Sequence, residues 1–115
     1  MVAPTVGAVV LVPFPFSDLS QAKDRPALVL VEVGRGDWIL SQITSVSYSD
    51  SRAIELLESD FADGSLRMTS YVRPGKLFTA HSSLMIRRIG QLHNHAFQPI
   101  AEAIIRLIQS SIPSS

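Results

Sequence analysis

The stretch that most constrains this chain is Ala27-Leu28-Val29-Leu30-Val31, a run without a polar side chain that is opened by Arg25-Pro26. Proline does least damage as the first residue of a strand, where its missing N–H is not needed by the ladder. The β-branched Val29, Val31 and Val33 favour a strand. An unbroken apolar run suits a strand covered on both faces, although a run this short also fits inside a helix. Arg25 is then held where a loop meets a rigid element, a position suited to a working residue. An ordinary solvated arginine ahead of a strand is the plainer alternative.

The chain has 115 residues, enough for one domain (residues 1–115) with its own core. It is 46% hydrophobic and 17% charged, which places it among globular chains and points to surface buried in a partner such as a second copy. With no cysteine, disulfides, thiolate chemistry and Cys-based zinc sites are excluded. The N-terminal apolar run has no basic segment before it and is broken by Pro13 and Pro15. It reads as neither signal peptide nor membrane span, so the expected location is the cytoplasm. Ten basic residues balance ten acidic ones, which argues against a strong nucleic-acid binder. The distribution is less even. Asp50, Glu55, Glu58, Asp60 and Asp63 crowd one segment, whereas Gly64 to Ala101 holds no acidic residue but carries Arg67, Arg73, Lys76, Arg87, Arg88 and all three histidines.

In order, Met1 to Val6 reads as a tail and Ala8 to Pro13 as a strand. Residues 14–24 read as an irregular loop, because Pro13 just before it, Pro15 within it and several polar residues interrupt any regular pattern. Phe14 and Phe16 in that loop either anchor it to the core or form an aromatic platform. Ala27 to Val33 and Trp38 to Thr44 read as strands joined by a hairpin turn at Gly34-Arg35-Gly36-Asp37. Gln42 and Thr44 share a face near the end of the second of these. Ser45 to Ser51 is a polar loop, and Ala53 to Leu57 a short strand. Ser59 to Gly64 suits one helical turn closed by glycine. Ser70 to Arg73 is a strand that the Pro74-Gly75 signal should stop, with strand-like runs at Lys76 to Ala80 and Leu84 to Leu92. Asn94 reads as a helix cap, followed by Phe97, Ile100, Ile104, Leu107 and Ile108 at helical spacing, with Pro99 blurring the helix start. Five to seven short strands with one terminal helix make a mainly β chain, expected to form a small, strongly curled barrel.

Gly7-Ala8-Val9-Val10-Leu11-Val12-Pro13-Phe14-Pro15-Phe16-Ser17-Asp18-Leu19, followed by Lys23-Asp24-Arg25-Pro26-Ala27-Leu28-Val29-Leu30, resembles the opening of the PemK/MazF toxins of bacterial type II toxin–antitoxin systems. Gln42-Ile43-Thr44-Ser45 resembles the second block of that family. Ser70 to Thr79 and Ile89-Gly90-Gln91-Leu92 resemble its later strands, so the likeness covers nearly the whole chain. It implies an SH3-like small barrel of the MazF/PemK/CcdB type. It further implies a homodimer that cleaves single-stranded RNA without metal or cofactor, leaving a 2′,3′-cyclic phosphate and a 5′-hydroxyl. A cognate antitoxin would inhibit it, and DNA would be met only through that antitoxin. The family's arginine before proline falls on Arg25 and its second-block threonine on Thr44. Ala8 departs from the family, where many members carry an acidic residue; the expected effect is on strand edge and dimer contacts.

Cleavage by the substrate's own 2′-OH needs that hydroxyl to lose a proton, a phosphorane to be stabilised and the 5′ oxygen to be protonated. Arg25 suits the second task, because a planar fork of N–H donors matches phosphate oxygens. Thr44 supplies a hydroxyl for the phosphate or the 2′-OH. Phe14, Phe16 and Lys23 fit a base-stacking loop beside the scissile bond. Gln42 can read a base edge, with Ser45 beside it, and Arg73 and Lys76 can contact phosphate. For Arg73 a salt bridge to the acidic segment is the competing reading. His81 is an outside candidate for proton transfer. His93 and His95 have no third ligand in view and read as solvated residues at the helix entry rather than a metal site. Two other functions stay open: a non-enzymatic poison on the same barrel that binds a protein such as gyrase, and a degenerate member that only binds RNA. The gyrase-binding relatives use a C-terminal Trp-Gly-Ile, which the ending Ile112-Pro113-Ser114-Ser115 lacks.

Overall fold

A computed structural model describes residues 3–15, 22–46 and 50–114. The strands are β1 (Ala8–Pro15), β2 (Ala22–Gly34), β3 (Asp37–Thr44), β4 (Ile54–Leu56), β5 (Phe61–Gly64), β6 (Ser70–His81) and β7 (Arg87–Leu92), and one α-helix, α1 (Asn94–Gln109), follows. They form one antiparallel sheet in the order β4-β6-β3-β2-β1-β7-β5. Leu56 from one edge strand and Phe61 from the other enter the same apolar cluster as Val9, Leu28, Ile43, Val72 and Leu92. The sheet has therefore rolled its two edges toward each other, and Ile100 and Ile104 of α1 close the roll. A second cluster, built on Val10, Val12, Ala27, Val29 and Leu40, lies on the other side of the same strands. This is the small curled barrel with a closing helix that the sequence pattern implies. No helix among the described residues is long and apolar enough to cross a membrane.

Ala27, Leu28 and Val29 are buried on both faces, as expected, but the run does not stay covered: Val31 and Val33 are exposed. The β2–β3 turn is Arg35-Gly36 with φ 56° and 83°. Positive φ at both central residues is the type I′ geometry that matches strand twist.

Three proline and glycine readings need correction. Residues 14–24 are not all loop, since Phe14, Pro15 and Ala22 to Asp24 extend β1 and β2, with Phe14 opposite Lys23. The prolines are tolerated because of where their missing donors point. The Ile86 N–H donates to the Leu11 carbonyl at 2.8 Å, so Leu11 turns its backbone polar groups toward β7, whose ladder with β1 ends at that residue. Pro13 and Pro15 share Leu11's parity, so no ladder bond to β2 is lost. Pro74-Gly75 does not stop a strand either. β6 runs on, and its register with β3 jumps from Ser41↔Leu77 to Ile43↔Val72, which makes residues 73–76 a wide bulge opposite Gln42. The helical turn expected at Ser59 to Gly64 is shifted. Glu58–Asp60 is one 3-10 turn, with the Asp60 carboxylate accepting the Leu57 N–H at 2.7 Å, and Phe61–Gly64 is strand because Phe61 enters the core.

Toward the C-terminal end, Leu84 closes a 3-10 turn (Ser82–Leu84) instead of opening a strand, β7 starts only at Arg87, and the α1 cap position is His93, one residue before Asn94. Ala8 is fully buried on a strand flanked by β2 and β7, so the departure from the family pattern lies in the interior rather than at a sheet edge.

Candidate functional site

Three neighbouring strands converge on one groove. Leu11 of β1 stands between Pro26 of β2 and Arg87 of β7 in register, and all three line it. Arg25, Ile43, Ser45, Glu58, Ser70, Ile89 and the Gly64-Ser65-Leu66-Arg67-Met68 connection complete the lining of a groove of about 840 Å³. Leu11, Ile43 and Ile89 give it an apolar floor, and guanidinium groups reach it from three separate elements.

Arg25 is half-buried, and its Nε atom is enclosed. The β2–β3 register ends at Ala27↔Gln42. Counting two residues onward along each strand reaches Arg25 and Thr44. By strand alternation these two belong to the same face as Ala27 and Gln42. Thr44 is half-buried at the last position of β3, and its hydroxyl oxygen accepts the Val46 N–H at 3.1 Å. That bond uses an acceptor site and leaves the O–H proton available to donate. Thr44 is not itself in the groove lining, whereas its neighbour Ser45 is.

The other expected contacts fall into two groups. Phe14 meets Phe78 edge-on with ring centroids 5.1 Å apart, and the Lys76 ammonium lies 6.0 Å from the Phe14 ring centroid. Lys23 is directly across from Phe14 and exposed. Phe14 is thus anchored by Phe78, the first of the two readings, with Lys76 and Lys23 close by. Phe16 lies outside the described residues. The second group surrounds Gln42, which is buried and accepts from Arg73 Nη1 at 3.4 Å. Arg73 Nε also donates to Asp50 Oδ2 at 2.9 Å, the salt bridge to the acidic segment raised as its competing role. The Arg73 carbonyl accepts the Ser41 hydroxyl at 2.6 Å, which fixes the bulge from below.

The Asp50 carboxyl is held below its ordinary 3.8, chiefly by the Arg73 hydrogen bond, then by the Arg52 N–H, with burial opposing and both arginine charges assisting. A depressed carboxyl stabilises the fold above its unfolded pKa and loses that contribution as pH falls through the lower folded value. Asp50→Asn should therefore melt below wild type near neutrality, and the gap should close in acid; melting curves across that range read it directly.

The histidines take structural places. His81 Nδ1 accepts the Ser83 N–H at 3.1 Å and caps the 3-10 turn. His93 and His95 stack at 5.0 Å, with His95 Nε2 4.0 Å from Asp60. No group of three or more His, Asp or Glu able to hold a metal occurs among the described residues. Arg67, Arg87 and Glu58 are the charged lining residues that sequence reasoning did not single out as site residues. Only the excess of basic residues after Gly64 hinted at the arginines.

Comparison with solved structures places the fold among known ones. The chain matches an endoribonuclease in complex with its cognate antitoxin from a mycobacterial species, with TM-score 0.71 and 16% identity, covering 100% of both chains. It matches MazF in a MazE–MazF structure from Deinococcus radiodurans with TM-score 0.71 and 17% identity, over 94% of this chain and 97% of that one. The Mycobacterium tuberculosis toxin MazF-mt6 matches with TM-score 0.68 and 19% identity, over 89% and 96%. Comparison with curated protein sequences finds no significant match. The family model for the PemK-like, MazF-like toxin of type II toxin–antitoxin systems matches residues 5–108. Spanning nearly all of that barrel and its closing helix, the chain belongs to the PemK/MazF toxin family.

Proposed function

We propose that this protein is a sequence-specific, metal-independent endoribonuclease that acts as a homodimeric cytoplasmic toxin and is neutralised by a cognate antitoxin. What supports the reading is that Arg25, in the first half of β2, lines one groove together with Ile43 of β3 and with Ser45, the residue after Thr44. In the reaction, the 2′ oxygen of one nucleotide attacks the adjacent phosphorus and the bond to the 5′ oxygen breaks. The 2′-OH loses its proton, and the departing 5′ oxygen gains one. No water is consumed, and the products carry a 2′,3′-cyclic phosphate and a 5′-hydroxyl. Arg25 donates to the phosphorane oxygens, where charge builds up in the transition state. Thr44 donates its hydroxyl proton to the same phosphate or orients the 2′-OH. Phe14, Phe16, Lys23 and Lys76 stack or hold the flanking unpaired nucleotides, and Gln42, Ser45 and Arg73 contact the base or phosphate beside the cut.

The test is incubation of the purified protein with long single-stranded RNA in EDTA. Cuts at a recurring sequence, whose 3′ ends accept an adaptor only after the cyclic phosphate is opened and then removed, are the expected result. Cutting that stops with the chelator, or products with 5′-phosphates, would overturn the mechanism. No cutting in any sequence context would overturn the enzyme assignment and leave the protein-binding or RNA-binding barrel.

A further inference from the structure

Net charge is zero, yet the groove collects three guanidinium groups, from Arg25, Arg67 and Arg87, against the single carboxylate of Glu58. Arg87 and Arg88 are successive on β7, so their side chains leave on opposite faces. Arg88 is consumed by Asp63, its Nη2 lying 2.6 Å and 2.7 Å from the two carboxylate oxygens. Arg87, on the other face, lines the groove in register with Leu11 and is exposed. Among the described residues, neither Arg87 nor Arg67 forms an ion pair. Arg67 is held in a left-handed conformation at φ 62°, which is unfavourable for a residue with a Cβ. The Ser65 hydroxyl accepts its N–H at 3.0 Å and pins the turn. The turn is rooted at Gly64, whose backbone packs against Gly90 of β7. Two unpaired guanidiniums are thus presented from braced positions along the groove that Arg25 also enters.

We propose that Arg67 and Arg87 grip backbone phosphates neighbouring the scissile one, and so position the RNA while Arg25 and Thr44 act on the reacting group. This rests on the endoribonuclease reading and extends it to two positioning residues. Arg87 and Pro26 flank Leu11 from opposite sides, two strand spacings or about 9.5 Å apart, so Arg87 approaches the groove from the side of Leu11 away from the strand that bears Arg25. Such contacts act through charge and counterion release and carry no sequence information.

The experiment uses a mixed-sequence, fully 2′-O-methylated single-stranded RNA, which binds but cannot be cut because the attacking hydroxyl is blocked. Affinity is read by fluorescence anisotropy across a salt series. For each of Arg67→Gln and Arg87→Gln, the slope of log K against log salt should flatten by about 0.7, the value for one lost single-strand phosphate contact. Arg87→Lys should restore most of it. Arg88→Gln removes the same charge one residue along and should keep the wild-type slope. Melting curves confirm that each variant is folded. If both groove variants behave like Arg88→Gln while the wild type cuts unmodified RNA, the phosphate grip fails alone. If the predicted slopes appear but unmodified RNA stays intact, the grip stands and the nuclease reading fails. A wild type without salt-dependent binding removes both.

Discussion

Replacing Arg25 with alanine should lower the rate of RNA cleavage by about 10²–10³-fold, the usual loss on removing one donor from a developing oxyanion. The loss should appear in kcat under saturating RNA, because a phosphorane carries more charge than the ground-state diester and the missing donor matters most there. Arg25→Lys should recover only part of it. A lysine restores the positive charge but not the planar fork that meets two oxygens at once. Thr44→Val, which keeps the β-branched shape and removes the hydroxyl, should also slow cleavage. Combining it with Arg25→Ala should cost less than the product of the two single effects if both groups serve one phosphate. Single-turnover cleavage of a labelled RNA measures all of these. Wild-type rates in Arg25→Ala would remove that residue from the chemistry.

Gly64→Ala should be the most damaging small substitution for the fold. Gly64 has φ +74°, and an added Cβ would overlap the Ile89 carbonyl oxygen and come within 2.6 Å of the Gly90 Cα. These are backbone atoms of a paired strand and cannot swing aside, so β5 and β7 must separate. Left-handed strain of about 1–2 kcal/mol together with overpacking of about 1–3 kcal/mol should lower the melting temperature by on the order of 10 °C. Gly34→Ala is the control. It also has positive φ, at +116°, but nothing lies within 4 Å of the added carbon, so only the conformational cost applies. Equal melting temperatures for the two variants would contradict this account. A surviving Gly64→Ala protein should also bind RNA less tightly, because the turn bearing Arg67 hangs from that glycine.

Where the chain keeps one simple period, its structure could be read in advance. β3 ends at Thr44 as read, and the helical stripe places Ile100 and Ile104 in the core. The misreadings share a cause. Proline and glycine were judged by what they do to an isolated segment, whereas their cost depends on which neighbour needs the missing donor. Pro13 and Pro15 direct it away from β2, and Pro74 sits in a bulge opposite a single β3 residue. The site divides in the same way. Arg25, Thr44 and Gln42 lie in short blocks legible along the sequence. The groove that Arg25 lines is assembled from β1, β2, β7 and the β5–β6 connection, and no local pattern announces that Arg67 and Arg87 line it too while Arg88 pairs with Asp63.

The proline pair in β1 has a consequence for the chain's behaviour in crowded solution. Among the described residues, that strand beyond Leu11 has a ladder on one flank alone, and such a bare margin invites recruitment of strands from other molecules. Two pyrrolidine rings remove the N–H groups an incoming strand would need, so the margin resists fibrous self-association even at high concentration.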